Sequence, residues 1–338
     1  MSDVRYSRQH VLQEIGREGQ RRLGQATAAV VGCGALGSVH CQLLARAGVG
    51  RLLVVDRDLV EESNLQRQLL FDEDDVAQGR CKADAAALKL RRINSEIRVE
   101  ARAEDLGPSN VVGLLAGADV VLDGTDNFET RYVINDACVK LGTPWVYGGV
   151  IGTVGMSLAI VPGRGPCLRC AFPDLPLAGA AASCESVGVL NAAPVVIGGV
   201  QVAQAIHLLV EGRVGQSGIL SLDLWRGTWE TFSVAHDPAC PCCVEGRYDF
   251  LAADSVSRST ALCGGNAVQV VPSARVRLEL GQLARRLAEI GKVRTTELLL
   301  RVEVEGLELV VFADGRAIVR GTTDEAVARA LYARYVGC

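Results

Sequence analysis

The stretch Ala29-Val30-Val31-Gly32-Cys33-Gly34-Ala35-Leu36-Gly37 restricts this chain more than any other, because an apolar strand runs through G-x-G-x-x-G into a helix. The first glycine permits the tight strand-to-helix turn, the second lets backbone approach a phosphate, and the third lets helix and strand pack closely. Beyond them the helix N-terminus offers unpaired N–H groups to an anion. A second apolar run, Leu52-Leu53-Val54-Val55-Asp56, ends on an acid about 20 residues past the loop, where a ribose hydroxyl would be met. Up to this point the pattern describes any dinucleotide fold, and a glycine-rich turn can occur with no ligand at all.

The next residues narrow it. Asn64, Arg67 and Gln68 follow in Glu62-Ser63-Asn64-Leu65-Gln66-Arg67-Gln68, and Lys82 comes after them. Two fixed cations and an amide suit a triphosphate better than a nicotinamide, although either cation alone could be an ordinary surface charge. Asp58, just past Asp56, borders the same expected pocket.

Size and cysteine content bound the rest. A chain of 338 residues, 49% apolar and 22% charged, has a globular interior and by its length suggests about two domains. No apolar run reaches about 18 residues and the start Met1-Ser2-Asp3-Val4-Arg5-Tyr6 is charged, so neither a membrane span nor a signal peptide is expected, and a cytoplasmic protein is. A net charge of −4 without a basic block argues against nucleic acid as a main partner. The 12 cysteines of a chain read as intracellular are expected to bind metal or do chemistry, since that compartment is reducing. Cys167-Leu168-Arg169-Cys170 is one C-x-x-C and Cys240-Pro241-Cys242-Cys243 holds another, so four thiolates could close a tetrahedral, structural zinc site. A redox pair is the competing reading, and Cys242 could stand in for Cys243.

Strand and helix patterns alternate, which implies an α/β fold: a Rossmann-like, mainly parallel sheet covered on both faces, with an antiparallel extension and a small C-terminal α/β domain. Strands are expected near 28–32, 51–56, 97–101, 119–123, 145–148 and 154–161, the last two joining 220–224 and 231–234 as the extension. Helices are expected near 14–23, 36–48, 79–94, 109–116, 128–141 and 192–212, the last burying Val195, Val196, Val202, Ile206 and Leu209. The small-residue segment Pro173–Ser186 reads as a mobile crossover loop. Residues 1–248 form the main domain, 249–270 a linker and 271–338 the small domain. That domain should hold a helix near 275–290, strands 297–304, 307–312 and 316–320 joined at Glu305-Gly306 and Asp314-Gly315, and a final helix opened by a Thr322/Glu325 capping box.

Together with Arg5-Tyr6-Ser7-Arg8-Gln9 at the start and Asp123-Gly124-Thr125-Asp126-Asn127 in the middle, these motifs stand in an order that resembles the ubiquitin-activating-enzyme-like adenylyltransferases. The likeness covers residues 4–246 and is nearest to bacterial enzymes that activate sulfur-carrier proteins for molybdopterin or thiamine synthesis. It implies that Asp56 binds the ATP ribose, that Asn64, Arg67 and Lys82 contact the triphosphate beside Gly32, Gly34, Gly37, Asp58, Gln68 and Asn127, and that Asp126 holds magnesium, with Asp123 second to it. It implies a homodimer in which Arg8 reaches the partner subunit's nucleotide, and zinc on Cys167, Cys170, Cys240 and Cys243. Cys184 falls where some relatives form a covalent link to the carrier. Acids here could instead cap the helix near 128–141, and His10, His40, His207 and His236 match no ligand or triad spacing.

The chemistry so implied joins two anions: a carrier's Gly-Gly carboxylate attacks the α-phosphate of ATP and pyrophosphate leaves. Arg8, Arg67, Lys82 and magnesium offset the repulsion, and no general base is needed because the carboxylate is already ionised. A sulfurtransferase or cysteine desulfurase would follow in sequence. The tail lacks a cysteine-to-arginine sulfurtransferase loop, since Cys263-Gly264-Gly265-Asn266 has no arginine, so carrier docking or dimer support is its expected role. A nicotinamide-dependent oxidoreductase gives no reason for Arg67, Lys82 and Asp126 together; a catalytically silent scaffold remains the other alternative.

Overall fold

The computed structural model describes residues 3–173, 187–212, 218–252, 259–261, 266–272, 277–296 and 298–336. The Pro173–Ser186 loop beyond Pro173, with its Cys184, and Cys263 lie outside these residues. By contacts the chain divides into one unit of Met1–Ala253 and another of Asp254–Cys338.

In the first unit β1 (Thr27–Val31) lies between β2 (Arg51–Val55) and β4 (Val120–Asp123), with β3 (Arg98–Arg102) outside β2 and β5 (Trp145–Ile151) outside β4, all parallel. The chain builds outward from β1 to β3 and then crosses back to β4. That reversal opens a crevice beyond the carboxyl ends of β1 and β4, where open α/β sheets bind ligands. Gly32, Asp56 and Asp123 come to that edge together, at the ends of β1, β2 and β4.

Side chains alternate across the strands, so each face acquires its own core. Ala28, Val30, Leu52, Val54 and Leu122 pack with Leu44, Leu90, Val202 and Ala205 from helices Ala35–Ala47, Lys82–Ile93 and Ala192–Glu211. Ala29, Val31, Leu53, Val121 and Trp145 pack on the other face with Leu115, Tyr132, Ile134 and the cysteine-bearing segments. Near-continuous apolar runs are what a sheet covered on both sides requires.

Beyond β5 the pairing becomes antiparallel through β6 (Val154–Ile160), β7 (Ile219–Asp223) and β8 (Thr228–Phe232). The expectation that 145–148 takes part in the antiparallel extension holds on the β6 edge of β5, while its other edge pairs in parallel with β4, so β5 joins both parts. The last strand also begins before 231, because Gly227 at φ +69° closes the turn and pairing restarts with Thr228 opposite Asp223. The 20-residue helix Ala192–Glu211 is long and apolar enough to cross a membrane by composition, yet its Ile197, Val202, Ala205 and Leu208 are buried within the sheet's cores. Its innermost stripe runs through Ile197, Gln201, Val202 and Ala205; of the expected residues Val202 is buried there, while Val195, Val196, Ile206 and Leu209 are half-buried, and Gln201 finds hydrogen-bond partners inside.

The second unit is a six-stranded antiparallel sheet in the order β11-β12-β13-β14-β10-β9, namely Val293–Thr295, Leu299–Val304, Leu307–Phe312, Ala317–Arg320, Ala267–Val270 and Ser259–Ala261. Helices Leu280–Leu287 and Glu325–Tyr335 cover one face. Glu305 and Gly306, at φ 55° and 76°, make the expected hairpin turn. Two corrections follow. Strands β9 and β10 lie inside the stretch read as linker. The last helix is capped by Asp324, whose side chain accepts from Ala326 N and Val327 N, while Thr322 Oγ1 accepts from Asp324 N, so the capping box is absent.

Candidate active site and metal centre

The glycine loop is fixed by contacts that only hydrogen side chains allow. Gly32 has φ +82°, and a Cβ there would lie 2.8 Å from the Gly124 carbonyl; one on Gly37 would run into the Gly32 carbonyl. Gly34, which precedes helix Ala35–Ala47, is open by contrast: its nearest neighbours would be Gln68 Nε2 and Gly124 O at 3.9 Å, leaving room in front of the helix N-terminus.

Asp56 is buried, and burial raises its carboxyl pKa while Lys82 pulls it back down. Its Oδ2 accepts from Cys33 N at 2.6 Å and its Oδ1 from Asp58 N at 2.7 Å. Each oxygen keeps a lone pair for a further donor. Lys82 opens helix Lys82–Ile93 and reaches Asp58 Oδ2 at 3.1 Å. Burial works against its charge, but Asp58, Asp56 and Asp126 hold the ammonium protonated well above the ordinary lysine range.

Gln68 is buried with its Oε1 unpartnered and its Nε2 toward Gly34. Arg67 is half-buried and donates to Ser63 O at 2.8 Å. Asn64 is chiefly a local cap, with its Oδ1 accepting from Glu61 N at 3.2 Å. Asn127 caps helix Phe128–Leu141 by accepting from Thr130 N at 2.8 Å. With that cap supplied, Asp123 and Asp126 are left for other roles. Asp123 Oδ2 pairs with Arg131 Nε at 3.0 Å, and its Oδ1 accepts from Thr125 N and Oγ1 at 2.9 and 2.6 Å. Asp126 is exposed and carries no hydrogen bond or ion pair among the described residues.

Sequence reasoning missed two supports. Arg131 is buried and also donates to Thr125 O at 2.7 Å and Gly148 O at 3.0 Å, between the rings of Phe128 and Tyr147. A lone arginine before the apolar run Tyr132-Val133-Ile134 was the available signal. Gln201 Nε2 donates to Asp123 O at 3.0 Å, while its Oε1 meets His40 Nε2 at 2.8 Å. Burial pushes the His40 imidazole down to about 4, so it is neutral.

Arg8 stands apart from the others, exposed on the short helix Ser7–His10, with no hydrogen bond or ion pair among the described residues.

The four expected cysteines converge. Their sulfurs all lie within 4.8 Å of one another, with Cys167 to Cys240 and Cys170 to Cys243 each at 3.6 Å and Cys167 to Cys170 at 4.0 Å. Zinc–sulfur bonds of about 2.3 Å in a tetrahedron separate sulfurs by about 3.8 Å, so this donor set fits zinc. Cys242 is outside the set of four and accepts from Asn135 Nδ2 at 3.3 Å. His236 Nε2 lies 3.6 Å from Cys243 Sγ.

Comparison with known proteins agrees with this frame. The ThiF family model matches residues 6–242. The sulfur carrier protein ThiS adenylyltransferase of Bacillus subtilis (strain 168) is 39% identical over 337 residues, covering 98% of this chain and 99% of that protein. The SAMP-activating enzyme E1 of Haloferax volcanii is 43% identical over 246 residues, covering 72% of this chain and 90% of its own. The crystal structure of E. coli MccB with ATP has a TM-score of 0.62 at 23% identity, over 71% of this chain and 74% of that one, a likeness of fold. On the family match and the near full-length relative, the chain belongs to the ThiF family.

Proposed function

We propose that the protein uses ATP to adenylate the C-terminal Gly-Gly carboxylate of a small ubiquitin-fold sulfur carrier, releasing pyrophosphate and leaving an acyl-adenylate for sulfur transfer. The observation that carries this reading is the grouping at one sheet crevice of a buried ammonium, Lys82, a buried ribose-type acid, Asp56, and an unengaged acid, Asp126. A nicotinamide has no use for that combination.

Asp56 accepts from the ribose hydroxyls, and Lys82, Arg67 and Gln68 Nε2 bind the phosphates over the helix N-terminus. The carrier carboxylate attacks the α-phosphorus in line with departing pyrophosphate, and these fixed positive groups offset the charge of both anions. Asp126 is the residue that would hold magnesium, which supplies further charge neutralisation when bound; the oxygens of Asp123 are already committed to Arg131 and Thr125. Zinc on the four cysteines is structural, because all of its positions are filled by protein.

The likeness to a ThiS adenylyltransferase spans both units, which favours a ThiS-type carrier in thiamine synthesis over a molybdopterin-type one. The enzyme acts in the cytoplasm as a homodimer with Arg8 supplied across the interface, and the persulfide of a sulfurtransferase or cysteine desulfurase then attacks the acyl carbon, displacing AMP and joining the carrier through an acyl disulfide. Cys184 would carry the covalent adduct, and the second unit would dock the carrier or brace the dimer. The test incubates the protein with magnesium ATP and a ThiS-type carrier and looks for the adenylated carrier by mass spectrometry. Its absence, with the carrier's Gly-Gly end intact, counts against the reading.

A further inference from the structure

Four side chains of Arg5-Tyr6-Ser7-Arg8-Gln9 are tied down, Ser7 only locally through Oγ to Val4 O at 3.0 Å, and Arg8 is not. Tyr6 is buried, its hydroxyl accepting from Asn94 Nδ2 at 2.8 Å, and its ring lies where a Cβ on Gly48 would come within 2.5 Å. Asn94 also donates to Ala45 O at 2.7 Å. Gln9 Nε2 donates to Gln20 Oε1 at 2.6 Å and Ala47 O at 3.1 Å, and Gln20, itself buried, donates to Ala47 O at 2.9 Å. Arg5 Nη1 donates to Ile93 O at 3.0 Å. Apart from Gln20, which lies on helix Gly16–Gln25 and itself donates to Ala47 O, these docking points are at the C-terminal end of helix Ala35–Ala47 or Lys82–Ile93, whose N-terminal ends carry Gly34 and Lys82.

A 13-residue helix is about 20 Å long at about 1.5 Å per residue, so the dock holds Arg8 a helix length from its own chain's phosphate loop. An arginine side chain cannot span that gap. We propose that Tyr6 and Gln9 are positioning residues that lock the first helix to the far end of the sheet, so that Arg8 is presented to the nucleotide of a second copy and withheld from its own. This rests on the adenylation reading and its dimer. It gives the two residues a role that acts only in trans.

Subunit mixing tests it, with pyrophosphate exchange into ATP measured on a ThiS-type carrier. The Gln9→Ala homodimer should fall about tenfold or more, since misplacement by about 1 Å can cost that much. Tagged heterodimers pairing Gln9→Ala with Lys82→Ala should recover about half the wild-type rate, because one of the two symmetric sites then has both its own Lys82 and a correctly held Arg8 from its partner. An Arg8→Ala with Lys82→Ala pair serves as reference, and Tyr6→Phe, which keeps the ring and loses only the Asn94 bond, replaces Gln9→Ala if that variant folds poorly. If the Arg8→Ala pair is not restored, the trans role of Arg8 itself fails. If it is restored but the Gln9→Ala and Tyr6→Phe pairs are not, or if those homodimers keep full activity, the positioning role is overturned while the dimer reading survives.

Discussion

Replacing Arg131 with methionine should lower stability by loosening the Asp123–Asn127 loop, and the size of the loss can be worked from its contacts. Asp123 is wholly buried and Arg131 is its only cationic partner among the described residues, at 3.0 Å. Removing one member of such a pair strands a charge, which costs about 3–5 kcal/mol. For a unit of this size each kcal/mol moves the melting temperature by about 2–4 °C, so a drop of roughly 6–20 °C is expected. Burial already raises the Asp123 carboxyl pKa and Arg131 opposes it, so the variant's pKa rises further. A folded state with a raised carboxyl pKa binds the proton more tightly than the unfolded chain, so Arg131→Met should regain stability as pH falls toward that pKa and lose it as pH climbs past. Asp123→Asn added to Arg131→Met removes the stranded charge and should recover much of the loss. The assay is thermal denaturation of all three variants between about pH 5.5 and about pH 8. A loss below about 1 kcal/mol that does not vary with pH, the behaviour of a solvated pair, would refute the argument.

Gln68→Met removes a buried, unpartnered acceptor, so the unliganded protein should be as stable as before or more so. Its ATP affinity should nevertheless fall by about 1.5–3 kcal/mol, roughly ten- to hundredfold, because a donor to a charged group is lost; calorimetric titration with a non-hydrolysable ATP analogue measures it, and unchanged affinity counts against Gln68 as a phosphate ligand. Cys243→Ser should abolish the zinc content seen by elemental analysis while Cys242→Ser keeps it, and the reverse pattern would reassign the ligand. His40 is held neutral with its imidazole near 4 against an ordinary value near 6.5, so stability is full above that ordinary value and lost as pH falls toward 4, by about 3 kcal/mol. His40→Gln should flatten that acid limb, and an unaltered limb would mean that other groups set it.

What was legible in the sequence was whatever is local. The glycine loop, Asp56 and Lys82 announce themselves by spacing along one strand–helix–strand run, and the structure brings them to one crevice because strand order follows from the same run. The four cysteines were legible for a different reason, since each pair is itself a short-range motif. Gln201 escaped because it is polar within an apolar helix and finds its partner on β4, far along the chain, and Arg131 because little beyond the adjacent apolar run in its own mixed helix marks it as turned inward to Asp123 and the carbonyls of Thr125 and Gly148. Strand β10 was read as linker because it is only four residues, Ala267–Val270, and is held between β14 and β9 rather than by a hairpin of its own. The misread cap at Thr322 shows the same limit on a smaller scale. Thr322 and Asp324 both suit a cap, and only the local backbone decides that Asp324 takes it.

The central claim is that Lys82, Asp56 and Asp126 form a site where ATP reacts with a protein carboxylate. The direct measurement is exchange of labelled pyrophosphate into ATP by the purified protein with magnesium, with and without a ThiS-type carrier ending in Gly-Gly. Exchange that requires the carrier and is lost in both Lys82→Met and Asp126→Asn is expected; exchange that ignores the carrier, or survives both substitutions, would contradict the account.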